Sequence, residues 1–315
     1  MNDLAVVIPA YKIDFFPSVL DSLSKQTCKR FTVYVGEDCS KSDFKTVIDS
    51  YRDKISIVYQ RFAENLGRKD LVAQWERCIR MTRDEPWIWL FSDDDMIEEN
   101  CVELFYKEVE TSSTLYDIYH FDVDVINEQG KIIRATPTFP SVISAFNFYK
   151  KKQTAHIDSF VVEYIFSRKI YETVGGFENF ALAWGSDTAT WCKMGQSKGI
   201  KTLRGGKIQW RSSNQNITPK HDSAIIVQKL KEDIKFMSWA SSFFERKSLK
   251  QFNKYSLFRL LVHYSPFVDR KQYDAIIRFA DKSLQLGVCA AIYRHMFSFI
   301  RIGKWMKNTS KIVVK

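Results

Sequence analysis

Three adjacent carboxylates, Asp93, Asp94 and Asp95, follow directly on the apolar run of "WIWLFSDDDMIEEN". Like charges this close push the pKa of some members upward unless a cation is present. A hard divalent cation answers that need. Mg²⁺ takes oxygen ligands at about 2.0–2.1 Å, usually one or two carboxylates together with phosphates of a substrate. Helix capping is the plainer alternative, because Asp is a good N-cap and Glu98 and Glu99 suit a first helical turn. Two more polar groups end apolar runs in the same way: Pro9-Ala10-Tyr11 after "LAVVI", and Glu37-Asp38 after "FTVYVG". A fourth candidate, Asp187, stands between the aromatic-rich "FALAW" and the helical pattern "TATWCKM". Desolvation there raises a carboxyl pKa toward the range useful for taking a proton from a hydroxyl. Its plain alternative is again an N-cap.

The elements that must position these residues are legible in outline. "LAVVIPAY", "FTVYVGED", "ISIVYQR" and "WIWLF" read as buried strands. Between them, apolar residues at helical spacing (Phe16, Val19, Leu20 and Leu23; Phe44, Val47, Ile48 and Tyr51; Leu71 to Met81; Cys101 to Val109) mark helices. Strands alternating with helices give βαβ units and a parallel sheet, whose ligands bind beyond the carboxyl ends of the strands. The fold expectation is therefore α/β: a mostly parallel sheet flanked by helices. Beyond Asp117 the pattern is mixed. "IYHFDVDVI" and "KIIR" flank a hairpin turn "NEQG", "SFVVEYIFS" reads as a strand, and "IKTLR" and "KIQWR" as two short ones. From about Asp222 onward only helices are expected.

Composition sets the outer bounds. The chain has 315 residues, 45% of them hydrophobic, enough for a large core. Its formal charge of +10 is uneven: residues 223–315 hold 18 Lys and Arg against 6 Asp and Glu, the remainder 29 against 31. This split marks a boundary near residue 220 and an anionic partner for the basic part. The stripe Ile292, Tyr293, Met296, Phe297, Phe299 and Ile300, interspersed with Arg294, Arg301, Lys304 and Lys307, fits an anionic membrane surface or, alternatively, a core. No motif supports nucleic acid as partner. Six scattered Cys, no apolar stretch of bilayer length and no secretory signal lead to the expectation of a cytoplasmic chain, peripheral to the inner face of the membrane at most.

"VVIPAYK", "VGEDCSKSD", "ENLGRKDLVAQWERCI", "FSDDDMIEEN" and "VGGFENFALAWGSD" occur, in this order, as in family 2 glycosyltransferases of the GT-A fold. The resemblance covers roughly Leu4 to Thr218. It implies a GT-A catalytic domain over 1–220, with a nucleotide-binding half (1–116) and an acceptor-binding half (117–220), followed by a helical basic extension over 221–315. It implies metal-dependent, inverting transfer of a sugar from a UDP-sugar to a hydroxyl of a glycan or lipid-linked acceptor in surface polysaccharide synthesis. By the same resemblance Asp38 holds the uracil, and Pro9, Ala10, Tyr11, Asn65, Gly67 and Arg68 border the nucleotide. Asp93 and Asp94 meet the nucleotide diphosphate, Asp93 and Asp95 hold Mn²⁺ or Mg²⁺, and Asp187 is the catalytic base. Trp184 and Arg211 fall where acceptor or donor phosphate contacts are made. The chain departs from the pattern at Lys12, where relatives often have Asn; at Ser92, where they often have Asp; and at Ser186, where many have Glu. Lys12 itself suits either a phosphate or solvent. A sugar-phosphate nucleotidyltransferase is the main rival, but it needs a Gly-rich loop after the first strand, and "IPAYKIDF" has none. A hydrolase of the D-x-D-x-T type needs its acids after the first strand, where this chain has "PAYK", and a catalytically silent sugar-nucleotide-binding relative is the third rival.

Overall fold

A computed structural model of the chain describes residues 2–215 and 222–298. The chain divides into two compact units, Met1–Asn179 with Ser186–Ser213, and Phe180–Gly185 with Asn214–Lys315. The second unit thus includes a six-residue segment far upstream of the composition boundary near residue 220.

In the first unit the expected alternation is present. It runs β1 (Leu4–Ala10), α1 (Phe16–Ser24), β2 (Phe31–Glu37), α2 (Phe44–Asp49), β3 (Ser56–Arg61), α3 (Leu71–Ile79), β4 (Trp87–Leu90), a short β5 (Met96–Ile97) and α4 (Cys101–Thr111). Strands β2 and β4 are buried along their whole length and β1 at six of seven residues, as inner strands covered by helices on both faces must be. Helix α1 takes Pro17 in its first turn, where no N–H is missed, and buries Phe16, Val19, Leu20 and Leu23. Helix α3 starts at Asp70, whose carboxylate accepts the Ala73 N–H at 2.9 Å.

The later part adds β6 (Ile118–Ile126), β7 (Ile132–Ala135), β8 (Val142–Ile143), α5 (Ala145–Gln153), β9 (Tyr164–Ser167), α6 (Arg168–Thr173), α7 (Ser186–Met194) and β10 (Ile200–Arg211). Strand order along the sheet is β3-β2-β1-β4-β9-β6-β10-β5, with β7 on β6 and β8 on β10. Neighbours from β3 to β4 are parallel. Strand β9 enters antiparallel to both β4 and β6, while β6 and β10 are parallel. The NEQG hairpin forms as expected, with Gly130 at φ 77°. Two local readings change. Only the second half of "SFVVEYIFS" is strand, because Val161–Glu163 form a 3-10 turn. "IKTLR" and "KIQWR" are one strand with an irregularity between Leu203 and Lys207. There Gly205 takes φ 95°, and a Cβ on Gly206 would sit 2.9 Å from Leu104.

The main core lies against the parallel strands. Trp89, fully buried on β4, stacks on Phe121 and packs edge-on to Phe91. Each such side chain contributes roughly 1.5–3 kcal/mol on burial. Strand β4 is therefore firmly held, and the acids that follow it leave a rigid base.

The second unit contains α8 (Ser223–Phe244), α9 (Ser248–Tyr264) and α10 (Arg270–Leu284), and residues 288–298 are helical. Helix α10 opens with a reciprocal capping box between Asp269 and Gln272. Part of the proposed membrane stripe turns inward here. Tyr293 and Phe297 are buried, the Tyr273 hydroxyl donates to the Tyr293 carbonyl at 3.0 Å, and the Tyr273 and Phe297 rings are 4.6 Å apart. Ile292 remains 49% exposed. Phe299, Ile300, Arg301, Lys304, Trp305 and Lys307 lie outside the described residues. Among the described residues no helix is long and apolar enough to cross a membrane.

Candidate active site

The loops at the carboxyl ends of β1, β2, β3 and β4 are tied to one another by side-chain-to-backbone hydrogen bonds. Asp93 Oδ2 accepts the N–H groups of Tyr11 at 2.7 Å and Lys12 at 2.6 Å, joining the β4 end to the β1 end. The Asp38 N–H donates to the Ala10 carbonyl at 2.8 Å, and Ser40 Oγ donates to the Tyr11 carbonyl at 3.0 Å. Asp38 then reaches the loop after β3. Its Oδ1 accepts the Leu66 N–H at 2.7 Å, its Oδ2 accepts the Gly67 N–H at 2.8 Å, and the Arg77 guanidinium pairs with it. Arg77 in turn lies over the Phe62 ring at 3.9 Å. Asn65 Oδ1 accepts the Arg68 N–H at 2.9 Å, which shapes the turn, while Arg68 is exposed. Tyr11 is also exposed, at 52%, whereas Ala10 is buried and Pro9 partly so.

The three adjacent acids, each under 5% exposed, point to three different partners. Asp93 turns to the β1 loop. Asp94 is ion-paired with the Lys12 ammonium. Asp95 is consumed locally: Ser92 Oγ donates to its Oδ2 at 2.6 Å, and the Arg211 N–H donates to its Oδ1 at 2.6 Å. None of them caps α4, which begins only at Cys101 behind Asn100. The capping alternative therefore falls. Loss of solvation pushes the Asp93 carboxyl up to about 6, against the pull of Lys12. It pushes Asp95 well above the usual carboxylate range, with the Asp94 charge adding to the effect. For Lys12, burial alone would lower the pKa, but the charges of Asp93 and Asp94 outweigh it and raise it.

Arg211 is 2% exposed and spends its donors on the chain itself. Nε donates to the Asp94 carbonyl at 2.7 Å, and Nη1 to the carbonyls of Asn127 and Glu128 at 3.0 and 2.9 Å. Its guanidinium lies over Phe15 at 4.5 Å. This geometry braces the acid loop.

Asp187 is built separately, in the first turn of α7. Its Oδ1 accepts the Thr188 N–H at 2.7 Å. Its Oδ2 carries no hydrogen bond among the described residues, and the side chain is only partly buried. Desolvation raises its pKa, opposed by the charge of Lys152 and by the Thr188 hydrogen bonds. An acceptor oxygen of this kind, with one lone-pair set anchored and the other available, is what a general base requires. Close enough to feel its charge is a residue that sequence reasoning missed. Glu163 is 1% exposed, with His120 Nε2 3.3 Å from its Oε1. Burial raises the Glu163 pKa well above its usual range, and the Asp187 charge pushes the same way. Burial lowers His120 to about 3. The available signal was a single acid inside the apolar "SFVVEYIFS". Trp184 belongs to the second unit, where its indole N–H donates to Asp233 at 3.0 Å and its ring receives the Lys229 ammonium at 4.5 Å.

Gly67 has a steric reason for its identity: a Cβ there would lie 2.7 Å from Asp38 Oδ2. Gly67→Ala is expected to prise the 65–67 turn from Asp38 at a cost of about 1–3 kcal/mol. A thermal melt and a nucleotide titration on the variant check this, and no change in either would refute the tie.

The sequence model described as "Glycosyl transferase family 2" matches residues 5–174. An uncharacterized glycosyltransferase of Haemophilus influenzae is 27% identical over 144 residues, 45% of this chain and 46% of that protein. Poly(ribitol-phosphate) beta-N-acetylglucosaminyltransferase TarS of Staphylococcus aureus (strain Mu50) is 26% identical over 141 residues, 44% of this chain and 23% of that one. The matched region is less than half the length of either relative. Among solved structures, S. aureus TarS 1–349 in complex with UDP-GlcNAc superposes with a TM-score of 0.61 at 15% identity, covering 95% of this chain and 92% of that one. The mannosyltransferase PcManGT from Pyrobaculum calidifontis, in complex with GDP-Man and Mn²⁺, gives 0.51 at 13%, covering 98% and 87%. These likenesses establish the GT-A fold.

Proposed function

This chain belongs to glycosyl transferase family 2, and from that premise we propose that it moves a sugar from a UDP-sugar to a hydroxyl of a glycan or lipid-linked acceptor. The observation that carries the proposal is the frame formed by residues 9–12, 38–40, 65–68 and 92–95. Four strand-end loops are cross-tied around buried carboxylates at the edge where an open α/β sheet binds nucleotides. The solved relative that holds UDP-GlcNAc supports a uridine donor, and the one that holds GDP-Man supplies the competing base.

A divalent cation fits this frame through one carboxylate. Among the described residues no three acids, His or Cys gather as a metal cage, so the diphosphate and water would supply the remaining ligands. We assign that carboxylate to Asp94 rather than to Asp93 or Asp95. Both oxygens of Asp95 are taken by Ser92 and Arg211, and Asp93 Oδ2 already accepts two N–H groups. Asp94 makes the closer approach to a cation, the Lys12 ammonium, which also lies 3.5 Å from Asp93 Oδ1 and stands in for the ion. When bound, such a metal offsets the charge that develops on the departing diphosphate. Asp38 and the N–H groups it holds at 66 and 67 fix the turn that borders the nucleotide. Asp187 Oδ2 takes the proton of the incoming hydroxyl, and attack from the face opposite the diphosphate inverts the anomeric centre. The basic second unit is proposed to meet an anionic surface, on the strength of its 18 Lys and Arg against 6 acids over 223–315.

The deciding experiment measures UDP or GDP release from UDP-GlcNAc, UDP-Glc, UDP-Gal and GDP-Man, with and without Mn²⁺. Metal-stimulated release from one UDP-sugar is expected. No release from any donor, together with no metal-dependent nucleotide binding, would sink the enzymatic reading and leave the silent relative.

A further inference from the structure

Lys12 brings its ammonium into the cluster of three acids, where the Arg211 guanidinium also feels the charges of Asp94 and Asp95 but donates to backbone carbonyls rather than to a carboxylate. Its ammonium pairs with Asp94 and lies 3.5 Å from Asp93 Oδ1, and those two acid side chains are only 5% and 6% exposed. The Lys12 side chain is 26% exposed, against 6% and 5% for Asp93 and Asp94, so it is the most accessible of the three partners. The backbone N–H of the same residue donates to Asp93 Oδ2 at 2.6 Å, which anchors the base of the side chain. A small divalent ion and an ammonium cannot share Asp94 without repelling each other at short range. A diphosphate changes that balance, because it brings negative oxygens to which both cations are attracted.

We propose that Lys12 is an internal competitor for the divalent cation. In the nucleotide-free protein its ammonium holds Asp94 and keeps a bare metal ion out. When metal and nucleotide enter together, the ammonium transfers from Asp94 to a diphosphate oxygen, leaving the carboxylate to the metal. Metal and nucleotide binding are thereby coupled, each raising the affinity for the other. The second half of this proposal rests on the sugar-nucleotide reading above; the exclusion of bare metal does not.

Isothermal titration of the full chain with MnCl₂ alone, UDP alone, and UDP in the presence of MnCl₂ tests it, alongside Lys12→Gln and Lys12→Arg. The unmodified chain should bind Mn²⁺ alone weakly and bind it at least about tenfold more tightly with UDP present. Lys12→Gln should gain about tenfold or more in affinity for Mn²⁺ alone and lose metal-free UDP affinity by a similar factor. Lys12→Arg, which keeps the charge, should still exclude the bare ion. Circular dichroism establishes that each variant is folded. Tight binding of Mn²⁺ alone by the unmodified chain overturns the proposal without recourse to any variant. So does a folded Lys12→Gln that binds Mn²⁺ no better than the unmodified chain. If Lys12→Gln gains Mn²⁺ affinity but no form of the protein binds UDP, the competition stands and the sugar-nucleotide reading fails.

Discussion

Replacing Asp187 with Asn is expected to lower turnover by about 10²–10⁴-fold while leaving UDP affinity nearly unchanged. The amide keeps the acceptor that anchors to the Thr188 N–H but cannot take a proton. The loss of rate should come without loss of fold. Burial raises the Asp187 pKa, so the folded state binds this proton more tightly than the unfolded chain does. A group raised in this way costs stability as pH climbs from its ordinary value through its raised one. Asn removes that cost, so the variant should melt at or above the temperature of the unmodified chain at neutral pH. The same shift sets the acid limb of activity. Rate follows the deprotonated carboxylate, so kcat/KM should rise with pH through a midpoint above the ordinary Asp value of about 3.9. Near-normal turnover in Asp187→Asn would remove it as the base and turn attention to other carboxylates.

The second large effect concerns Arg211. Arg211→Met should destabilise the protein by about 3 kcal/mol or more, because three buried or partly buried carbonyls lose their donor together. Arg211→Lys should recover little of this, since a single ammonium cannot reproduce a planar fork reaching Asp94, Asn127 and Glu128 at once. Urea denaturation reads the difference. If stability is unchanged and only nucleotide binding weakens, Arg211 contacts the diphosphate, as its sequence context led one to expect, and is not a brace.

That contrast shows where sequence reasoning stops. Strands β1, β2 and β4 were legible because a buried parallel strand is an unbroken apolar run. The same pattern located the polar residues at their carboxyl ends. The division of labour among Asp93, Asp94 and Asp95 was not legible. Three consecutive residues in a turn project in different directions, and their partners come from remote parts of the chain: the N–H groups at 11 and 12, and Arg211, more than a hundred residues away. Gly205-Gly206 invited a break in the chain, yet it permits one continuous strand to pass close to α4. Strand β9 is antiparallel, which its four residues could not announce, because orientation depends on the connections around it. Glu163 was hidden for a similar reason, since its neighbours His120 and Asp187 meet it only in the fold.

The path of the chain between its two units has a consequence for inheritance. The chain leaves the first unit after Asn179, returns at Ser186 and leaves again after Ser213. The excursion ends two residues before Asp187. Within the second unit its residues lean on α8: the Ala181 N–H on Glu232, the Trp184 indole on Asp233, and Gly185 against the Phe236 ring at 3.4 Å. No single cut separates the units. The helices therefore cannot be swapped between relatives as a detachable cassette, as a boundary drawn near residue 220 would imply. A recombinant that exchanges them must also exchange the strip at 180–185 that leads into Asp187.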